Sequence, residues 1–229
     1  MLIPCIDLQG GQAVQLVNGR ECEITVADVF SLLEKFKKYP WLHVIDLDAA
    51  IGTGNNDELV RSLCTRARRK YKMKVRVGGG IRSIARASEI AESGADQLII
   101  GSAVFKRGKV DKKFLDQLLK KVDRKRIVIA LDTARGHITI HGWRDRIALR
   151  AEEVMSQLTP FCGAFLCTDV DHEGTMRGTN LKWFHKLRAA TPHFIIAAGG
   201  IKTRREVTAL EKMGMDAAVG MAVYKNRLA

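Results

Sequence analysis

An internal repeat divides this 229-residue chain into two related halves. Val77–Ser83 (VGGGIRS) is echoed about 120 positions later by Ala198–Thr203 (AGGIKT). The downstream segments also match, Ser93–Val104 with Met213–Val223, and each contains a further glycine after an apolar run. The repeat therefore predicts a fold built from two equivalent halves, each with one glycine-lined anion site. A ligand with a phosphate at each end would fit that duplication.

Short apolar runs alternate with amphipathic stretches, which is the pattern of βα units with a parallel sheet. The eight predicted strands are Leu2–Ile6, Leu42–Ile45, Val75–Val77, Gln97–Ile100, Ile127–Leu131, Phe165–Thr168, Phe194–Ala197 and Ala217–Val219. Apolar residues between them recur at helical spacing, as in Val29, Leu32, Leu33 and Phe36. We therefore expect a single-domain (β/α)8 TIM barrel, residues 1–229, with an internal two-fold half-barrel repeat.

The composition indicates a globular chain that neither spans a membrane nor binds a metal. Apolar residues make up 46% of it, no run of about 18 of them marks a membrane span, and no signal-peptide pattern opens the sequence. The five cysteines include no C-x-x-C pair, which suits reduced thiols better than disulfides or zinc. We expect a cytoplasmic protein that holds no metal.

The net charge of +13 has two interpretations. Much of it lies in Arg66–Lys72, Lys106–Lys113 and Lys120–Arg126, which favours solvated helix faces and loops. The alternative is a functional field that steers an anionic metabolite or holds nucleic acid non-specifically. Because no aromatic interleaving or nucleic-acid module accompanies these segments, we expect no specific nucleic-acid partner.

In barrels of this class the carboxyl ends of the strands line the active-site mouth. Glycines there let the backbone approach a ligand, and a helix N-terminus beyond them favours phosphate. The predicted phosphate-binding residues are Gly79, Gly80, Gly101 and Ser102 in one half, and Gly199, Gly200 and Gly220 in the other. Tight turns alone would also explain these glycines. None fits Walker or dinucleotide spacing, so we expect no nucleotide cofactor.

Two aspartates are related by the repeat and end predicted strands one and five. Asp7 and Asp132 would therefore face each other across the barrel mouth. Carboxylates placed in this way can share acid and base duties, with their environments tuning each pKa. The alternative is a polar strand end that is hydrogen-bonded to the next loop.

Several segments resemble the ProFAR isomerases, a family of phosphoribosyl isomerases in histidine biosynthesis. They are Ile3–Leu8, Trp41–Asp48, Val77–Ser83, His141–Trp143 and Thr168–Thr175, and the resemblance spans Met1 to Ala229. It implies a cofactor-free Amadori rearrangement, in which a phosphoribosyl aminoaldose opens and becomes an aminoketose. The implied substrate carries a phosphate at each end, in agreement with the duplicated glycine segments.

The resemblance also implies roles for individual residues. Asp7 matches the base that takes the proton from ribose carbon 2, and Asp132 matches the acid of ring opening. Thr168 matches a hydroxyl that positions the sugar. Trp143 matches an aromatic that packs on the aminoimidazole, or is a structural loop residue. His43 matches a position near the first acid, or is a buried core histidine.

Three positions depart from the family pattern. Glu173 stands where the family has a further candidate acid, an aspartate, and its extra methylene adds roughly 1.5 Å of reach. Gln15 replaces a common arginine, and Met221 replaces a frequent basic residue. Arg82 and Lys202 remain available to a phosphate, or are solvated residues at helix starts. The sequence leaves open whether Asp132 or Glu173 is the acid.

Three alternative functions follow from the same residues. One is the cyclase subunit that acts next in the pathway, which usually has lysine-glycine where this chain has Gln15 and Leu16. A second is a dual-specificity isomerase that also accepts phosphoribosyl anthranilate. The third is a non-catalytic phosphosugar- or RNA-binding barrel, favoured by Glu173 and the charge. Our prediction is a monomeric, metal-free isomerase.

Overall fold

The structure, a computed structural model, describes residues 1–228. Its strands are β1 (Leu2–Gln9), β2 (Gln12–Val17), β3 (Glu21–Val26), β4 (Trp41–Asp46), β5 (Lys74–Gly78), β6 (Gln97–Ile100), β7 (Phe105–Lys106), β8 (Lys109–Val110), β9 (Ile127–Ala134), β10 (His137–Ile140), β11 (Asp145–Arg146), β12 (Ala164–Asp169), β13 (Ile195–Ala198) and β14 (Met215–Val219). Its helices are α1 (Val29–Phe36), α2 (Leu47–Ile51), α3 (Asp57–Tyr71), α4 (Ile84–Glu92), α5 (Lys112–Leu119), α6 (Ala151–Leu158), α7 (Leu181–Ala190), α8 (Arg204–Lys212) and α9 (Met221–Tyr224).

Eight parallel strands close into a barrel in the order β1, β4, β5, β6, β9, β12, β13, β14. The predicted (β/α)8 fold is thereby confirmed, and all eight predicted strands are present. The prediction that Phe194 starts a strand was wrong, because β13 begins at Ile195 and Phe194 is 40% exposed outside it. Most of the other strands extend one to three residues beyond their predicted bounds. Since β9 is four strands from β1 in both directions around the ring, these two strands lie opposite each other.

Two packed layers of side chains account for the alternation along the barrel strands. Inward-facing residues form a small interior cluster that includes Ile3, Ile99, Val128, Leu166 and Ile196. Outward-facing residues pack under the helices in the larger core. Alternate residues of each strand thus pack either in the interior cluster or in the larger core, because each strand is buried on both faces.

The helices present their apolar stripes to the larger core. The stripe predicted on α1 is buried in full, at Val29, Leu32, Leu33 and Phe36. Side-chain caps fix several helix starts, as when the Asp28 carboxylate accepts from the amides of Phe30 and Ser31.

The mouth of the barrel carries antiparallel hairpins that were not predicted. β1, β2 and β3 form an antiparallel meander, and β9 continues into β10. Gly10-Gly11 and Asn18-Gly19 make the tight turns of the meander, each with positive φ at both residues. Such turns match the twist of the strands they join. The hairpins extend the walls of the mouth above the ends of the barrel strands.

Within residues 1–228 no helix is long and apolar enough to cross a membrane. The same residues contain no cluster of three or more His, Cys, Asp or Glu side chains arranged to hold a metal ion.

Candidate active site

A cavity of about 280 Å³ occupies the end of the barrel where the strands finish. It is lined by predicted site residues from both halves, among them Asp7, His43, Asp132, Trp143, Thr168 and Glu173. Gly79, Gly80, Gly101, Ser102, Arg82 and Gly220 also line it. Residues distant in sequence therefore meet around one enclosed volume, as expected for a ligand site.

Asp7 projects into this cavity from the upper part of β1, beside Ile45 of β4. Burial raises the pKa of Asp7 from 3.8 to about 7. A carboxyl with that pKa is partly ionised near neutral pH and takes up a proton readily. It therefore has the character of a general base.

Asp132 enters the cavity from β9, on the opposite side of the barrel. Its Oδ2 accepts a hydrogen bond of 2.9 Å from the indole Nε1 of Trp143, and Thr168 also donates to the carboxyl. Burial raises the pKa of Asp132, and these two hydrogen bonds oppose the rise because they stabilise the ionised form. The two hydrogen bonds also fix the direction of the carboxyl.

Glu173 brings a third carboxyl to the same cavity from the loop after β12. Burial, followed by the charges of Asp7, Asp132 and Asp169, raises its pKa from 4.5 to about 8. Because like charges close together in one cavity disfavour ionisation of all three carboxyls, one of these groups retains a proton. Glu173 is therefore protonated at neutral pH and is available as an acid.

The first glycine cradle is built from closely packed backbone. A side chain on Gly79 would collide with the carbonyl of Asp46, and one on Gly80 would lie 2.6 Å from Ala49. Both residues have positive φ, at 101° and 67°. Only glycine satisfies both constraints, so the chain can pass close to α2 and turn into the N-terminus of α4.

Arg82 lies at the rim of this first cradle. Its guanidinium donates to the carbonyls of Ala49 and Ala50, near the end of α2. Ser83 caps α4 by accepting from the amide of Arg86 at 3.1 Å. The unpaired amides of the helix start remain available to an anion, while Arg82 is engaged by the neighbouring helix.

The second glycine cradle repeats this construction in the other half. A side chain on Gly199 would collide with the carbonyl of Asp169, and a Cβ on Gly200 would lie 2.7 Å from the carbonyl oxygen of Gly178. The φ values are 105° and 70°. These match the first cradle within a few degrees, so the repeat seen in the sequence is also a repeat of backbone geometry.

The space beside the second cradle is much smaller than the main cavity, which the first cradle lines. It adjoins a space of only about 10 Å³, lined by Gly199, Gly200, Gly220 and Met221 among others. The side chain of Gln15 is buried against Gly220, where any Cβ would collide with its amide oxygen. Both departures from the family pattern near this cradle therefore fall beside the predicted phosphate position.

Asp46 follows the same alternation as Asp7 but does not line the cavity. Its buried carboxyl accepts from the amide of Asn56 at 2.7 Å, from the Asn56 side chain at 2.8 Å and from the amide of Ala49 at 3.1 Å. Asp46 is the last residue of β4, but the carboxyl that a strand-end acid would present to the cavity is taken up by these hydrogen bonds. Asp46 instead ties α2 to the start of α3.

Three mouth loops contact one another above the acids. The amide of Asn18 donates to the carbonyl of Glu173 at 2.9 Å, and Gly19 lies so close to the ring of Trp143 that an added Cβ would be 2.7 Å from it. Trp143 itself has φ of +66°, an unusual value for a bulky residue. Strain of this kind occurs where the surroundings fix a functional side chain.

One buried charged residue behind the cavity lining was missed in the sequence. Arg76 is 4% exposed inside the barrel and hydrogen-bonded to His43, which lines the cavity. A signal was present, because Arg76 alternates with Val75 and Val77 in a strand that is otherwise apolar. A charged residue at an inward-facing strand position is a candidate functional residue.

Comparison with known proteins identifies the family. The sequence profile described as histidine biosynthesis protein matches residues 1–229. This chain belongs to that family. The resemblance found in the sequence is therefore confirmed.

Curated relatives match nearly the whole chain. One from Methanocaldococcus jannaschii is 32% identical and covers 98% of this chain and 94% of the relative. Others, from Thermus thermophilus and Streptococcus sanguinis, are 31% and 32% identical, cover 99% of this chain and are themselves covered to 95% and 94%. All three are named 1-(5-phosphoribosyl)-5-((5-phosphoribosylamino)methylideneamino) imidazole-4-carboxamide isomerase, the enzyme abbreviated ProFAR isomerase.

Proposed function

We propose that this chain is a ProFAR isomerase, which converts a bisphosphorylated aminoaldose to the aminoketose by an Amadori rearrangement. The observation that carries the proposal is the meeting of Asp7 and Asp132 from opposite strands in one cavity flanked by two matching glycine cradles. Family membership and the names of the relatives support it.

The first step is ring opening, which needs an acid at the ring oxygen. As the bond from carbon 1 to that oxygen breaks, its electron pair stays on the oxygen, which takes a proton, and the lone pair of the attached nitrogen forms a double bond to carbon 1, giving a positively charged, protonated imine. Glu173 is protonated at neutral pH, whereas hydrogen bonds from Trp143 and Thr168 favour the ionised form of Asp132. We assign the proton donation to Glu173, with Asp132 stabilising the positive charge of the imine.

The second step is proton removal at carbon 2. Asp7, with a pKa of about 7, takes that proton, and the electron pair forms an enolamine with carbon 1. Loss of the hydroxyl proton at oxygen 2 and protonation of carbon 1 then give the ketose, so atoms and electrons balance. Asp7 and Asp132 both project from barrel strands, and this fixed placement holds them close to the reacting atoms, as the reaction requires.

The remaining predicted residues bind and orient the substrate. Thr168 and Trp143 hold Asp132 and line the sugar and base regions of the cavity, and the cradles at Gly79-Gly80 and Gly199-Gly200 take one phosphate each. We further propose that the enzyme is monomeric, works without a cofactor and acts in the cytoplasm.

A spectrophotometric assay with ProFAR, coupled to the next enzyme of the pathway, tests this function directly. Phosphoribosyl anthranilate is assayed in parallel as the second substrate. Turnover of ProFAR alone supports the proposal, and turnover of both would make the enzyme dual-specific. Binding of ProFAR without turnover of either compound would contradict it and favour a non-catalytic phosphosugar-binding barrel.

A further inference from the structure

A chain of side-chain contacts runs from the bottom of the barrel to the cavity floor. The guanidinium of Arg76 lies 3.8 Å above the ring of Trp41, and its Nε donates to Gln97 Oε1 at 2.5 Å. The Gln97 side-chain nitrogen donates to the carbonyl of Lys125 at 2.8 Å, which leaves its oxygen free to accept. A second guanidinium nitrogen of Arg76 contacts Nε2 of His43 at 3.1 Å.

The chemistry of arginine decides the direction of the last hydrogen bond. A guanidinium has only donors, so Nε2 of His43 must be the acceptor and carry no proton. In a neutral imidazole the proton is then on Nδ1. His43 is 1% exposed and lines the cavity, and Nδ1 is the ring nitrogen left to donate there.

The charges around His43 favour the same state. Burial, and then the charge of Arg76, holds the pKa of His43 well below its usual value. Burial lowers the pKa of Arg76 to about 10, opposed by Asp216 on β14 and Cys5 on β1, so Arg76 stays charged at neutral pH. Three carboxyls line the cavity that His43 also lines, Asp7 on β1, Asp132 on β9 and Glu173 in the loop after β12.

We propose that Arg76 is a positioning residue that fixes His43 as the Nδ1–H tautomer, making His43 a permanent hydrogen-bond donor at the cavity floor. This rests on the proposed function only for the identity of the acceptor, which is a hydroxyl or carbonyl oxygen of the reacting sugar. Arg76 touches no substrate and acts through His43. A histidine held in this way cannot serve as a base at Nε2.

Nitrogen-15 NMR of the histidine rings tests the tautomer without any assay of activity. The chain has six histidines, and loss of one set of signals in His43→Gln assigns the ring of interest. The proposal expects a protonated Nδ1 and an unprotonated Nε2, unchanged between about pH 6 and pH 8. An Nε2–H tautomer, or titration of His43 near its ordinary value, would overturn it even in an active enzyme.

Variants at Arg76 separate positioning from packing. Arg76→Lys keeps a charged donor and should retain the Nδ1–H tautomer, whereas Arg76→Gln can also accept and should give a mixture of tautomers. With ProFAR as substrate, Arg76→Gln should lower kcat about tenfold with little change in KM, the effect of one lost hydrogen bond, and Arg76→Lys should recover most of it.

A matched control removes an arginine that is far from the cavity. Arg68→Gln, on α3, removes the exposed partner of the half-buried Asp96 and should leave both the His43 signals and kcat unchanged. Equal losses of kcat in Arg76→Gln and Arg76→Lys, with the tautomer intact in both, would reject the positioning role. If wild type turns over no ProFAR but shows the expected tautomer, the proposed function fails and this inference stands.

Discussion

Three carboxyls of one chemical type acquire different characters from their surroundings. Asp132 receives hydrogen bonds from Trp143 and Thr168, which favour its ionised form. Burial alone raises the pKa of Asp7, whereas burial together with the charges of the other acids raises the pKa of Glu173. The environment therefore divides the roles of base, electrostatic partner and acid among them. The longer side chain at position 173 keeps the acid inside this group of charges.

The pH dependence of the rate follows from two of these groups. Asp7 acts as a base only above its pKa of about 7, and Glu173 acts as an acid only below its pKa of about 8. We expect kcat/KM for ProFAR to be bell-shaped, with its maximum between these values. A rate that keeps rising up to about pH 9.5 would exclude Glu173 as the acid.

Glu173 should also make the fold less stable at alkaline pH. The pKa of Glu173 is raised from 4.5 to about 8 on folding. Its favourable contribution to the free energy of unfolding is therefore fully present below pH 4.5 and is lost as pH rises through 8. Glu173→Gln, which never ionises, should melt about 3 °C or more above wild type at about pH 8.5 and close to wild type at about pH 4.5. Thermal unfolding by circular dichroism measures this.

The exposed Glu58→Gln on α3 is the control for that experiment. Its difference from wild type should not vary with pH in the same way. A Glu173→Gln effect of equal size at both pH values would indicate altered packing and contradict the buried ionisation.

At the scale of elements, the two cradles are one design used twice. Each places the first of two positive-φ glycines against the backbone carbonyl of a strand-end aspartate, Asp46 in one half and Asp169 in the other. Because the same steric requirement recurs, the two sites should respond alike to the same substitution.

Gly79→Ala and Gly199→Ala should each lower the free energy of unfolding by about 3 kcal/mol or more, since a methyl group meets fixed backbone at a left-handed residue. Gly10→Ala is the matched control, with φ of +57° but nothing within 4 Å, and should cost about 1 kcal/mol. Urea unfolding midpoints compare the three. Equal losses at all three positions would show that backbone conformation alone sets the cost.

The elements that the sequence predicted were those with a strong local signal. Eight strands and the apolar stripe of α1 follow from periodicity, and the cradles follow from repeated glycines. The meander at the mouth was missed although Gly10-Gly11 and Asn18-Gly19 are hairpin turns in form. The role of Asp46 could not be predicted, because its partner Asn56 is brought to it only by the packing of α2 and α3.

In the whole molecule, the position of each basic residue should matter more for substrate binding than the total positive charge does. Lys120 and Lys121 follow α5, and Arg124–Arg126 directly precede β9, so these basic residues lie at the end of the barrel opposite the mouth. Lys202 is different, because it lies beside the second cradle, next to Gly178. The sequence could not separate these two kinds of basic residue, since only closure of the barrel assigns them to opposite ends.

Charge substitutions should therefore affect substrate binding according to the end of the barrel. Lys202→Gln should raise KM for ProFAR about tenfold, as expected for the loss of one charged contact to a phosphate. The double substitution Lys120→Glu and Lys121→Glu should leave KM within about twofold of wild type. A larger rise of KM in the double variant would mean that the whole field of the protein steers the substrate.

The proposed function depends above all on Asp7, which removes the carbon-2 proton in a cavity that binds both ends of the substrate. The most direct measurement is single-turnover conversion of ProFAR by wild type and Asp7→Asn, with binding to each followed by calorimetry. We expect conversion by wild type, none detectable by Asp7→Asn, and dissociation constants within about threefold of each other. Conversion by Asp7→Asn at a rate within about tenfold of wild type would contradict it.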